Sequence, residues 1–229
     1  VKARHVIRSL GATATTCAAL LCAPLGCPAA AAAACSDIEV VFARATTEPP
    51  GIGQVGQAFV ESLRSQVGGR SVGVYAVNYP ATEDFTTSAS AGAIDARAQV
   101  QSVAANCPNT RIVLGGYSQG AIVIDLITAM PVSVAGFTPA PMPPDMADHV
   151  AAVAVFGNPV DRDVGAPLTA ISPQYGSKAI DLCAAGDPIC SPGGGMAMPQ
   201  HDEMFSEAHL SYVKSGMASQ GAAFAASQL

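Results

Sequence analysis

Charge is scarce in this chain: Asp, Glu, Lys and Arg together make up only 12% of 229 residues, with eleven basic against seventeen acidic. So little positive charge leaves no stripe with which to neutralise phosphates, which argues against nucleic acid as a partner. The basic amphipathic stretch that would drive stable attachment to an anionic membrane is missing too. Long apolar runs are equally rare. The most extended one, from about Leu10 to Leu25, is interrupted by threonine and is too short to span a bilayer. There are four histidines, none at ligand spacing from another, and no Cys-x-x-Cys pair, so a zinc site is not expected. No internal repeat or interdomain linker is visible.

What is present begins with an export pattern. Lys2, Arg4 and Arg8 form a positive start, the interrupted apolar stretch follows, and small residues run through Ala29 to Ala34. Residues 1–34 therefore read as a signal peptide cleaved before Cys35, and residues 35–229 as a single secreted domain. A lipid on Cys27 or Cys35 would favour a leucine three residues earlier, and neither has one. Without the signal, eight basic residues face seventeen acidic ones, a net charge of −9. The remaining length is enough for one domain with a real core. Four cysteines remain, an even number that reads as disulfides in an exported chain and allows three pairings. Cys183 and Cys190 are close enough in sequence to close a small loop, which would leave Cys35 for Cys107.

Short β-branched runs at 38–43, 72–77, 111–117, 150–157 and 178–183 predict five strands. Helical spacing or composition at 55–67, 88–106 and 119–130, and again in the tail from about Phe205, places helices between and after them. Alternation of this kind predicts an α/β fold with a parallel sheet covered on both faces, and ligands beyond the carboxyl ends of its strands.

Against that plan, "LGGYSQGAIV" at 114–123 puts Ser118 directly after a strand and directly before a helix. A G-x-S-x-G pattern carries little weight by itself in a chain with 22 glycines. In this context it describes a sharp turn that presents a hydroxyl at the top of the sheet, with Gly116 and Gly120 allowing strand and helix to approach. A serine nucleophile needs an imidazole to take its proton and a carboxylate to orient the imidazole. His149 precedes a strand and lies at the wrong end of the sheet, while His201 and His209 both follow the last strand. Among acids, Asp187 falls in a loop after the last strand, enclosed by Cys183 and Cys190. Asp161 is its rival, although that residue and Asp163 read more simply as exposed turn acids.

Four segments, "FARATTE" at 42–48, "GYSQG" at 116–120, "CAAGDPIC" at 183–190 and "HLSY" at 209–212, occur in an order that resembles the cutinase family of small serine esterases, in particular its mycobacterial members. The resemblance implies an α/β-hydrolase-type, three-layer fold with a five-stranded parallel sheet and no large lid. It implies Ser118 as nucleophile, His209 as base and Asp187 as orienting acid. It also implies disulfides Cys35–Cys107 and Cys183–Cys190, and an oxyanion hole from the backbone N–H groups of Thr46 and Gln119. One residue departs from the family pattern: Ala45 stands where glycine is usual. If that position needs a positive φ, alanine costs about 1 kcal/mol or shifts the oxyanion loop.

The function expected is hydrolysis of carboxylic esters with short to medium acyl chains, including lipid or polyester substrates, by a monomer that uses no metal or other cofactor. The base must be neutral, so the rate is expected to rise through the range where histidines ordinarily titrate, about pH 6 to 7. Without a lid, the serine is expected to be open to water. Met142, Met146, Met196, Met198, Met204 and Phe205 are read as an adaptable apolar rim. A carbohydrate deacetylase of the acetylxylan esterase type would share fold and triad, whereas a site weakened at Ala45 would leave an exported lipid-binding or host-interacting protein.

Overall fold

A computed structural model of the chain describes residues 35–192 and 199–229; the expected signal, Met196 and Met198 lie outside the described residues. Five strands, β1 (Ile38–Ala43), β2 (Val72–Ala76), β3 (Arg111–Tyr117), β4 (Val150–Phe156) and β5 (Ala179–Leu182), form one parallel sheet in the order β2-β1-β3-β4-β5. Strands buried on both faces are near-continuous runs of Val, Ile and Ala, as "VAAVAVF" in β4 illustrates. Their side chains alternate between two cores. Val41, Leu114 and Val153 point to one face, beneath α2 (Phe85–Asn106) and α3 (Gln119–Thr128). Phe42, Val113 and Phe156 point to the other, beneath α1 (Gly53–Gln66) and α7 (Met217–Ser227). Phe42, Phe59 and Phe156 meet there with ring centroids 5.9 to 6.5 Å apart. The fold is thus a three-layer sandwich of the α/β-hydrolase type.

The chain runs outward from β1 to β2, then crosses back over β1 to start β3. That reversal opens a crevice beyond the carboxyl ends of β1 and β3, where open parallel sheets bind ligands. Both segments expected to line the site, after Ala43 and after Tyr117, therefore emerge side by side.

The shorter helices α4 (Pro159–Val164), α5 (Leu168–Ile171) and α6 (His201–Met204) were not apparent in the sequence, because one or two turns show no periodicity. The tail begins with a single tight turn at His209–Ser211 before α7. Among the described residues, two disulfides, Cys35–Cys107 and Cys183–Cys190, span 72 and 7 residues. In the chain-entropy account the first is worth roughly 4 kcal/mol, and it fixes the start of β1 to the end of α2.

Candidate active site

Ser118 follows β3 directly, with φ 57° and ψ −120°, backbone of positive φ that a non-glycine residue adopts only when its surroundings impose it. The surroundings here are tight. A Cβ on Gly116 would lie 2.2 Å from the Gly120 carbonyl oxygen, and one on Gly120 would lie 2.0 Å from that of Ala43. Only glycines let α3 turn back over β1 and β3 so closely. The Ser118 N–H is tied to the Phe156 carbonyl oxygen at 2.9 Å, which fixes the turn to β4.

The serine Oγ lies 3.0 Å from His209 Nε2, and His209 Nδ1 lies 2.8 Å from Asp187 Oδ2. All three side chains are shielded, Asp187 completely. A buried carboxylate needs its lone pairs filled, and Asp187 accepts from the Ile189 N–H at 2.9 Å and from the Tyr212 hydroxyl at 2.7 Å as well as facing the imidazole. Tyr212 in turn accepts from the Ala184 N–H, so it bridges the disulfide-closed loop and the turn that carries His209. Burial and the nearby Asp187 carboxylate push its phenol well above the ordinary range, which keeps it a donor. Tyr117 donates to the His209 carbonyl oxygen at 2.5 Å and places its ring 5.0 Å from the imidazole. Gly157, after β4, has φ 55°, and a Cβ there would come within 3.0 Å of the His209 ring. Tyr117, Gly157 and Tyr212 were missed as supports of the site. Tyr117 and Tyr212 belong to segments already singled out, and the i, i+3 spacing of His209 and Tyr212 was the available signal.

Beyond β1, the "RATTE" segment folds on itself. Arg44 donates to the carbonyl oxygens of Glu48 and Tyr79, while Glu48 accepts from the N–H groups of Ala45 and Gln54 at 2.7 and 2.9 Å. The left-handed residue of this turn is Thr47, with φ 62°; Ala45 is not among the residues of positive φ, so alanine fits there without the expected strain. Gln119 ties the turn to the helix. Its amide donates to the Thr82 carbonyl oxygen at 2.8 Å and to Thr46 Oγ1 at 3.4 Å, and its oxygen accepts from Ser88 Oγ at 2.8 Å. The backbone N–H groups of Thr46 and Gln119 have no acceptor among the described residues; Thr46 lines the cavity of about 500 Å³ at Ser118, and Gln119 lines a narrower one that also meets Ser118.

Other sequence expectations fall elsewhere. His201 is exposed on α6 with its ring against Phe205, and His149 is at the amino end of β4. Asp161 is not an exposed turn acid: it is buried in α4 facing Asp125 and Asp181, because the turn after β4 folds back onto α3. Met142 packs into the core and Met146 against it, not on a rim, whereas Met204 and Phe205 do line the cavity at Ser118. Ser118 is 5% exposed and lines the cavity of about 500 Å³ whose walls rise from the Thr46 turn and the segment from Met204 to Lys214.

The cutinase family model matches residues 34–229. Carboxylesterase Culp1 of Mycobacterium tuberculosis is 53% identical over 231 residues, covering 99% of this chain and 97% of that protein. Among solved structures, Trichoderma reesei cutinase in complex with a phosphonate inhibitor is 31% identical with a TM-score of 0.64, over 85% of this chain and 77% of that one. An acetyl xylan esterase is 26% identical with a TM-score of 0.69, over 85% and 99%. The chain belongs to the cutinase family and is a serine ester hydrolase.

Proposed function

We propose that this cutinase-family chain is an exported, monomeric carboxylesterase whose single domain, residues 35–229, follows a cleavable signal at 1–34 and acts through Ser118, His209 and Asp187. The observation that carries the reading is the continuous line from Asp187 Oδ2 through the imidazole to Ser118 Oγ, with contacts of 2.8 and 3.0 Å. His209 Nε2 takes the serine proton as Oγ bonds to the carbonyl carbon. Charge developing on the carbonyl oxygen is met by the N–H groups of Thr46 and Gln119, each such donor being worth about 3 to 4 kcal/mol in the transition state. The imidazolium returns its proton to the leaving alcohol as the carbon–oxygen bond breaks, and water repeats the cycle on the acyl-enzyme. Two disulfides support export to an oxidising compartment. No described helix is long and apolar enough to cross a membrane.

The direct test is hydrolysis of p-nitrophenyl butyrate. Ser118→Ala is expected to lower kcat on the order of 10⁶-fold with little change in thermal stability; an undiminished rate would end the reading. The likeness to an acetyl xylan esterase favours deacetylation of carbohydrate as the second reading. A rate on acetylated sugar far above that on butyryl and octanoyl esters would select it.

A further inference from the structure

Two cavities meet at Ser118, and they differ in width, polarity and access to His209. The wide one, about 500 Å³, has Thr46, Glu48, Glu83, His209, Leu210 and Val213 among its walls. The other leaves Ser118 and Gln119 between Phe85 and Met204 through a neck of about 20 Å³, little more than one water molecule needs. It continues past Ile122 and Phe137 into a space of about 90 Å³ reaching Met130, Val134 and Val164. Neck and inner space share Ile122, Phe137 and Asp163 as walls, so the two adjoin, and together they are called the trench. Met204 stands between trench and wide cavity, lining both.

We propose that the trench is the acyl-chain subsite and the wide cavity the alcohol subsite, so that the enzyme takes esters of slim, unbranched fatty acids with bulky, partly polar alcohols. This rests on Ser118 and His209 acting as nucleophile and base. The imidazole must hand its proton to the leaving oxygen, so the alcohol has to occupy the space that His209 borders. His209 lines the wide cavity and is absent from the trench walls. The acyl carbon, bonded to Ser118 Oγ, then projects its chain to the other side, along Ile122 and Phe137. Width sorts the two halves in the same sense, because a branched or ring-bearing group cannot pass the neck, whereas the 500 Å³ cavity accepts one. Chemistry agrees as well. Past Ser118 and Gln119 at its mouth, the trench is apolar apart from Asp163, whose carboxylate disfavours a chain ending in an anion, and Glu48 and Glu83 in the wide cavity suit a hydroxylated alcohol and disfavour an anionic one.

Val134 and Val164 border the inner end of the trench and are partly exposed, 36% and 53%, so a larger side chain can be placed there with little strain in the core. In Val134→Trp and Val164→Trp, the ratio of kcat/KM for p-nitrophenyl decanoate to that for the acetate is expected to fall on the order of tenfold, the value of burying about two methylenes. Leu210→Trp, in the wide cavity, is expected to lower the rate on 1-naphthyl acetate relative to ethyl acetate and to leave the decanoate-to-acetate ratio unchanged. If instead the trench variants keep that ratio and Leu210→Trp lowers it, the acyl chain lies in the wide cavity and the assignment is wrong while the esterase reading stands. A wild-type protein that cleaves none of these esters overturns the esterase reading itself, and the assignment with it.

Discussion

At the scale of single residues, the site depends on a few backbone positions that tolerate no alternative. Gly116 and Gly120 have backbone atoms 2.2 and 2.0 Å from where a Cβ would be, and Ser118 is held at positive φ between them. Ala45 is the opposite case. The family's usual glycine suggested a positive φ, but the turn takes its left-handed residue at Thr47, and the Ala45 N–H is satisfied by Glu48. Ala45→Gly is therefore expected to leave kcat/KM within about twofold and to reduce stability by about 0.4 to 1 kcal/mol through the freer unfolded chain, read by urea unfolding beside a p-nitrophenyl butyrate assay. A large gain in activity would show that alanine does distort the oxyanion loop. The residues proposed to carry the chemistry could be picked out in the sequence because each candidate is of a suitable type at a constrained place: one serine between glycines, and two histidines beyond the last strand. Choosing His209 over His201 needed the family pattern, since spacing alone cannot tell an exposed helix start from a buried turn.

At the scale of elements, the loop from Cys183 to Cys190 works as a clamp on Asp187. It leaves β5, is closed by the disulfide, and is tied by Tyr212 to the turn bearing His209. Replacing both cysteines by serine is expected to cost roughly 2 to 3 kcal/mol of stability. It should also lower kcat on the order of ten- to a hundredfold with KM little changed, because the carboxylate loses its fixed distance from the imidazole. Unchanged kcat in the double variant would mean that the hydrogen bonds alone hold Asp187. Strands and long helices could be read from the sequence because buried parallel strands and full-length helices leave continuous signatures, and β1 and β3 coincide with their expected spans. The segment between β4 and β5 could not. Its helices are too short for a periodic pattern, and their role is to bury polar groups, which composition reads as exposed turns.

At the scale of the whole molecule, an acidic chain gathers three carboxyl groups, Asp125, Asp161 and Asp181, into one cluster away from Asp187. Asp125 is fully buried, Asp161 nearly so, and Asn158 donates to Asp125 and Asp181 at 2.9 and 3.2 Å. Burial, and the facing Asp181 and Asp125 carboxyls, push Asp161 up to about 9 from an ordinary 3.8; burial also raises Asp125 and Asp181. Between those two values the folded state holds a proton that the unfolded chain has released, so stability falls as pH rises through that window and is greatest below it. Asp161→Asn, which keeps the shape and cannot ionise, is expected to flatten the fall in melting temperature between pH 5 and 9. The variant should exceed the wild type at pH 8 and converge with it near pH 4. Parallel curves would show that this cluster does not govern the pH response. None of this was visible in the sequence, because three acids separated by dozens of residues come together only when β4, β5 and α3 pack.

Activation of one hydroxyl by one imidazole is read most directly by covalent labelling. A fluorophosphonate should add one equivalent to the folded protein, with the adduct on the peptide containing Ser118. Labelling should be abolished in Ser118→Ala and slowed by several orders of magnitude in His209→Ala. Stoichiometric labelling at another residue, or undiminished labelling of Ser118 without His209, would contradict it.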